Sequence, residues 1–143
     1  MADAAAVKER VQAYLTSVGP VQIDDKGRYS LESGSTRTFV EVMPHPDGKV
    51  SLVMVTAVVL FEVPLTPELF RHVALHTDDW VFGHLFVTEG EDGKGMLLMR
   101  HMLMGDYLDK DELLYVVFGI TGVADDIDEK LKEQFGGKTY EES

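Results

Sequence analysis

Two histidines, His72 and His76, stand four residues apart in a stretch whose apolar spacing predicts a short helix. Side chains at that separation lie on one helix face, which is the arrangement of a helical zinc-binding pair. A zinc site needs a third convergent ligand, and His84 or His101 would have to supply it from the strands that follow. The spacing of His72 and His76 does not show that such a ligand lies near them. The pattern therefore favours polar histidines on a helix face and at a strand rim over a metal site.

The other residue types that can do chemistry lack the geometry it needs. Adjacent aspartates at positions 24–25, 78–79 and 125–126 do not suit general acid and base catalysis, because neighbouring residues on a helix or turn point apart. The run Ser33-Gly34-Ser35 lacks the strand, turn and helix of a nucleophile elbow and is typical of a loop. The chain has no cysteine, which excludes disulfides, thiolate metal sites and a cysteine nucleophile. We therefore assign no catalytic, cofactor-binding or metal-binding residue and expect the protein not to be an enzyme.

An aromatic cluster supports the main alternative. Trp80, Phe82 and Phe86 could line a ligand pocket between the short helix and the strand hairpin that follows it. If they converged with His84 and His101, the chain would be a small-molecule or metal-binding α+β protein, or an enzyme, that uses the Trp80, His84 and His101 region. Aromatic residues in strands are more often buried packing, so the pattern favours a role in the core.

The formal charge of −12 limits the classes of partner. Nucleic-acid affinity comes largely from Lys and Arg, and 13 basic residues stand against 25 acidic ones, so nucleic-acid binding is not expected. Residues 106–143 hold eleven acids and four lysines, which gives −7 and favours a basic partner for this end of the chain. The longest apolar run, residues 52–61, is about half the length of a membrane helix. Residues 1–18 hold no apolar export signal, so a cytoplasmic location without membrane binding is expected.

The elements that position these side chains follow from apolar spacing and turn residues. Apolar residues three and four apart predict helices at residues 4–18 and 67–76 and from Asp109 to Gly136, and Thr66 and Asp109 suit the N-cap positions of the last two. Apolar or alternating runs predict strands at residues 21–23, 28–31, 36–43, 49–63, 81–88 and 95–104. This order predicts one α+β domain with an antiparallel meander sheet over residues 1–137. Residues 138–143 are expected to form a loose tail.

The predicted strand at residues 50–63 is apolar on both faces, whereas a sheet with one wet face alternates apolar and polar residues. Six of the seven methionines also fall in predicted strands. Methionine is over-used on surfaces that receive several partners, so one sheet face is predicted to bind a polypeptide or a second copy of the chain. The alternative is that the helices divide between the two faces and cover both. The residues assigned to the partner-binding surface are Val53, Val55, Val59, Phe61, Met96, Met102 and Met104.

A resemblance to a known family covers about half of the chain by pattern. The residues that carry it are Pro67-Glu68-Leu69-Phe70, Phe82-Gly83-His84-Leu85-Phe86-Val87, Leu98-Met99-Arg100-His101-Met102-Leu103, Leu108-Asp109, Leu113-Leu114 and Val123-Ala124-Asp125-Asp126-Ile127. The chain resembles the YbjN-like proteins, a bacterial family related in fold to the type III secretion chaperones. The resemblance implies an αβββαββα-type fold, frequent dimers, and neither a cofactor nor catalytic residues. At the end of the short helix the chain departs from the family, with His76-Thr77 where members often have Asn.

These observations lead to one leading function. We expect a non-enzymatic bacterial protein-binding module, chaperone-like or regulatory, that acts through an apolar sheet face and the acidic long helix as a homodimer. For the chaperone relatives, the resemblance implies binding of an extended polypeptide on an apolar surface. A regulator that acts mainly through the acidic last helix is a further hypothesis, and it predicts a salt-sensitive complex with a basic partner.

Overall fold

The computed structural model describes residues 3–142, so residues 1, 2 and 143 of the predicted domain and tail lie outside the described part. The helices are α1 (Ala4–Thr16), α2 (Pro67–His76) and α3 (Lys110–Phe135). The strands are β1 (Gln22–Ile23), β2 (Tyr29–Ser33), β3 (Thr36–Pro44), β4 (Ser51–Pro64), β5 (His84–Glu89) and β6 (Lys94–Met104). A 3₁₀ turn (Tyr140–Glu142) follows α3.

Side-chain caps define the starts of the helices. The Thr66 hydroxyl accepts a hydrogen bond of 3.2 Å from the Leu69 backbone N–H at the start of α2. The Asp109 carboxylate accepts one of 2.8 Å from the Glu112 backbone N–H at the start of α3. Each cap satisfies a backbone donor that has no partner inside the helix, and both predicted N-caps are confirmed. At the other end of α3, Gly136 has a φ of 86°, a conformation that glycine adopts without steric cost.

The six strands form one antiparallel sheet in the order β1-β2-β3-β4-β6-β5. β1 to β4 form the meander, and α2 then carries the chain away so that β5 returns at the edge and β6 lies beside β4. β6 suits this inner position because its consecutive residues Leu97 and Leu98, which point to opposite faces of the sheet, are both buried. The predicted α+β fold with an antiparallel sheet and a long C-terminal helix is confirmed.

The helices pack on one face of the sheet and form the core with it. Val53, Val55 and Val59 of β4 are fully buried in this core. The hydroxyls of Thr38 in β3 and Thr121 in α3 share a hydrogen bond, so the sheet and the long helix are also joined by a satisfied polar pair. The helices therefore do not divide between the two faces, and the opposite face of the sheet has no helix on it among the described residues.

The C-terminal segment corrects the prediction of a loose tail for residues 138–142. The backbones of Phe61 in β4 and Lys138 pair through two hydrogen bonds, of 2.7 Å and 2.8 Å. Glu142 accepts hydrogen bonds from the Thr139 backbone N–H at 3.1 Å and from the Lys132 ammonium at 2.5 Å. The segment thus lies against the end of β4. Its short, polar sequence has no apolar period, which is why the pattern predicted no structure there.

Candidate functional site

The side chains on the sheet face opposite the helices form a surface that we call the open face. Because strands are paired in register, these side chains stand in cross-strand rows. The rows are Met43, Leu52 and Met104; Glu41, Met54 and Met102; Phe39, Thr56, Arg100 and His84; Val58, Leu98 and Phe86; and Met96 with Thr88. The surface is apolar at both ends and polar in its central row.

Methionines are concentrated on the open face. Of the six described methionines, five belong to it, and only Met99 points into the core. The open-face members Met96, Met102 and Met104 are 37%, 44% and 48% exposed. Methionine side chains are flexible and polarizable, so a surface rich in them adapts to different apolar ligands. This part of the sheet has the composition of a binding surface.

A shallow groove of about 290 Å³ runs across the middle of the open face. Its floor consists of Thr56, Val58 and Leu98, which are each less than a tenth exposed because longer side chains flank them. The other lining residues are Arg28, Phe39, Glu41, Met54, Phe61, Met96 and Arg100. The groove thus combines an apolar floor with two guanidinium groups and one carboxylate, which suits an amphipathic ligand.

Two arginines at the groove lie over phenylalanine rings. The Arg28 guanidinium carbon lies 4.8 Å from the Phe39 ring centroid, and the Arg28 Nε donates to Asp24 at 2.7 Å. The Arg100 guanidinium carbon lies 4.9 Å from the Phe86 ring centroid. Each of these is a cation–π contact, which favours this position of the guanidinium over the ring.

The predicted partner-binding residues divide between the two faces. Phe61 lines the groove, and Met96, Met102 and Met104 belong to the open face. Val53, Val55 and Val59 do not, because they are fully buried beneath the helices. Alternation within each strand does not say which face of β4 matches which face of β6, so the prediction grouped helix-side valines with open-face methionines. Bulges in β4, between Val58 and Leu60 and between Leu60 and Val63, change the alternation that assigns Phe61 to a face.

The residues of the alternative site come together only in part: His84 and His101 line one open pocket with Phe86, whereas Trp80 lies in another. His84 belongs to the open face, whereas His101, on the helix side, accepts a hydrogen bond of 3.1 Å from the Gly83 backbone N–H. Burial lowers the pKa of His101 below its usual value, which favours the neutral ring. Trp80 packs against the core near Ile127.

The histidine pair on α2 has other neighbours. The His72 and His76 rings lie 4.5 Å apart between centroids, and His76 Nδ1 lies 2.8 Å from an Asp79 carboxylate oxygen. Burial is the largest cause that lowers the pKa of His72. No group of three or more His, Cys, Asp or Glu side chains in residues 3–142 is arranged to hold a metal ion.

The sequence reasoning missed Arg28 and Arg100. Strand alternation could have indicated the face of Arg100, because Arg100 lies two residues after Leu98 in a predicted strand and so shares its face. It also missed the exposed aromatic residues Tyr115 and Phe118, which are 72% and 52% exposed on α3. Helical periodicity marks them as neighbours on one face, but only the packing reveals that this face is uncovered.

Comparisons with solved structures define the class of this fold. A chain of the ExsC–ExsE complex matches with a TM-score of 0.62 and 13% identity, over 90% of this chain and 96% of that one. YbjN from E. coli matches with a TM-score of 0.61 and 12% identity, over 89% and 93%. A chain of the complex between the Yersinia pestis type III secretion chaperone SycH and a fragment of YscM2 matches with a TM-score of 0.52 and 11% identity, over 82% and 96%. The fold is therefore that of the YbjN and type III secretion chaperone proteins.

The sequence places the chain in one family of that class. It belongs to the TY-Chap1 family, the T3SS (YopN, CesT) and YbjN peptide-binding chaperones 1, which it matches over residues 4–143. This finding confirms the resemblance drawn from the sequence. No curated protein is detectably similar to the chain. Within the described residues, each helix is too short or too polar to cross a membrane.

Proposed function

We propose that this chain is a non-enzymatic, cytoplasmic chaperone-like protein that binds an extended segment of another polypeptide on its open face. The observation that carries the proposal is the division of the described methionines, five on the open face and one in the core. An uncovered, methionine-rich sheet face offers apolar area without a fixed shape, which suits segments of varied sequence. Membership of a peptide-binding chaperone family supports the same function.

Charge placed on the open face tests this function. The probe is a membrane-bound array of short synthetic peptides, incubated with the purified full chain. Met102→Glu introduces a negative charge into the proposed contact area and should abolish most of the binding, because a segment laid on this face would have to remove part of the charge from water. Leu75→Glu is the matched control, since Leu75 is 61% exposed on α2 and lies outside the sheet. Equal binding by both variants would contradict the proposal.

Isotope labelling gives a second readout with an internal control. In a chain labelled with ¹³C at the methionine methyl groups, added peptide should shift the signals of Met96, Met102 and Met104. The signal of Met99, which is fully buried under the helices, should move least. A shift confined to Met99 would place the effect in the core and not on the open face.

We further propose that the protein is a homodimer that associates through α3. Tyr115 and Phe118 stand three apart on this helix and are largely exposed, and Val81 is exposed next to Phe82. The Phe82 ring meets Tyr115 edge-on at 5.8 Å between centroids, so these side chains form one apolar patch. Exposed patches of this kind mark association surfaces.

Mass in solution tests the dimer. Multi-angle light scattering should give twice the chain mass for the wild type and one chain mass for Phe118→Asp. Phe70→Asp, at a residue that is 46% exposed on α2, should remain dimeric. A wild-type monomer at high concentration, or a dimer that only Met102→Glu disrupts, would refute association through α3.

The acidic long helix supports a role in selecting partners. The acids Asp111, Asp126, Glu129 and Glu133 of α3 are exposed, and the whole chain carries a formal charge of −12. Such a field speeds the approach of a positively charged partner and slows that of a negative one. We therefore propose that the bound polypeptide has a net positive charge, and that its association slows as salt is added.

A further inference from the structure

Arg100 occupies the centre of the open face in a fixed orientation. It belongs to the central row, between Thr56 of β4 and His84 of β5. Its Nε donates a hydrogen bond of 3.0 Å to the Thr56 hydroxyl, and its guanidinium lies over the Phe86 ring. One edge and one face of the guanidinium are thereby held. The group is half-buried and oriented before any ligand arrives, which reduces the entropy cost of binding.

Arg100 also lacks the counterion that Arg28, the other arginine at the groove, has. Arg28 pairs with Asp24 at 2.7 Å, and Arg37 pairs with Glu32 at 2.9 Å. Within residues 3–142, no carboxylate lies within ion-pair distance of Arg100, although the chain has 25 acidic residues. A positive charge fixed at a groove in an acidic chain, with its terminal nitrogens uncommitted, is complementary to a carboxylate.

The residues around Arg100 indicate which ligand side chains would lie beside that carboxylate. On the floor beside it, Val58 and Leu98 are buried and apolar, and Met102 follows at a step of two along β6. In an extended peptide, side chains at alternate positions face the same way. A segment lying on the open face would therefore present apolar side chains to this floor on either side of the residue that meets Arg100.

We infer that Arg100 receives a side-chain carboxylate of the bound peptide, so the preferred segment carries one Asp or Glu flanked at alternate positions by apolar residues. This inference rests on the proposed peptide binding and adds its sequence preference. One acid is favoured over an acidic run, because every further negative charge is repelled by the chain's charge of −12, and Arg28, the other arginine at the groove, is already paired with Asp24.

Fluorescence anisotropy with defined peptides tests the inference. The probes are acetylated, amidated and fluorescein-labelled peptides of about nine residues, with Leu at alternate positions and Ser between them. The central Leu position is replaced by Glu, Gln or Lys, and a fourth peptide carries Glu at three of these positions. The wild type should bind the single-Glu peptide about tenfold more tightly than the Gln peptide, with the Lys and triple-Glu peptides weaker than the single-Glu peptide.

Variants assign the preference to the guanidinium. Arg100→Gln should bind the Glu and Gln peptides equally, with the affinity for the Gln peptide within about twofold of wild type. Arg71→Gln removes an exposed arginine on α2 and should keep the full preference for Glu. Circular dichroism checks that each variant is folded, and the wild-type peptide series decides the question even if Arg100→Gln is not.

The outcomes separate this inference from the function on which it rests. If the wild type binds the Glu and Gln peptides equally, and Met102→Glu still abolishes binding, the carboxylate preference is wrong and peptide binding stands. If Arg71→Gln loses the preference as fully as Arg100→Gln, the preference comes from overall charge and the assignment to Arg100 is wrong. If none of the peptides binds, both proposals fail.

Discussion

Met99 and Met102 allow a direct test of the assignment of the two sheet faces. They are the same residue type, three positions apart in β6, and their side chains lie on opposite faces. Met99 is fully buried under the helices, whereas Met102 is 44% exposed on the open face. Replacing each by alanine removes the same atoms from the same strand. Any difference in the free energy of unfolding therefore reports how each face is covered.

The expected magnitudes follow from the packing. Met99→Ala should lower the free energy of unfolding by about 2–5 kcal/mol, the range for emptying a core site. We expect a value in the upper half of that range, because the neighbours of Met99 are already closely packed. A Cβ added at Gly83 would stand only 3.1 Å from Met99 Cγ and 3.4 Å from Ile120. Met102→Ala should cost about 1 kcal/mol or less, because the side chain is already near half exposed and leaves no closed cavity.

Urea denaturation followed by circular dichroism measures both values, at two protein concentrations to separate folding from association. Peptide affinity should show the reverse order, with Met102→Ala weakening binding and Met99→Ala, where folded, leaving it nearly intact. If Met102→Ala costs as much stability as Met99→Ala at the lower concentration, something covers the open face in the native protein. The open face would then not be free for a ligand.

Three further predictions concern individual side-chain contacts of the fold. Asp128 is buried and contacts the Ser35 hydroxyl, and burial raises its pKa, so its stabilising contribution is present at low pH and is lost as pH rises through that raised pKa. Asp128→Asn should therefore flatten this part of the pH dependence of the melting temperature, whereas Asp126→Asn, at the exposed neighbour, should not. Asp109→Ala should lower the free energy of unfolding by about 1 kcal/mol in urea melts, because α3 loses its cap. Tyr140→Ala should increase proteolytic cleavage of the C-terminal segment, because it removes the ring contacts of Tyr140 with Phe61 and Arg37. Unchanged cleavage would contradict a packed C-terminal segment.

Most of the fold could be predicted because local rules and the global packing agree. Thr66, Pro67 and Asp109 mark helix starts by backbone chemistry that acts within one turn, and the structure places these starts there. The position of β6 beside β4 is a long-range choice that no turn residue encodes, although the burial of both Leu97 and Leu98 is consistent with it. Local sequence signals thus predicted the helix starts correctly, but they could not predict which distant strands pair.

The candidate site could be predicted in part. The apolar strand and its methionines were visible in the sequence, but which face the helices cover depends on tertiary packing. Alternation alone assigned Phe61 to the same face as Val53 and Val55, whereas the bulges in β4 place it at the groove. Arg100 carried no motif, and its importance arises from the absence of a partner carboxylate in residues 3–142, which only the folded arrangement reveals.

The acidic charge of the chain and the arginine at the centre of its open face act at different ranges. The field of −12 charges acts on approach but is screened beyond about 8 Å at physiological salt, so it favours partners with net positive charge. Arg100 acts only on contact, where a half-buried, preoriented guanidinium pairs strongly with a carboxylate. A uniformly acidic segment is repelled on approach, and a uniformly basic one leaves Arg100 unpaired. A basic segment with one acid among apolar residues satisfies both conditions, so added salt should slow its association while preserving most of the difference between Glu and Gln.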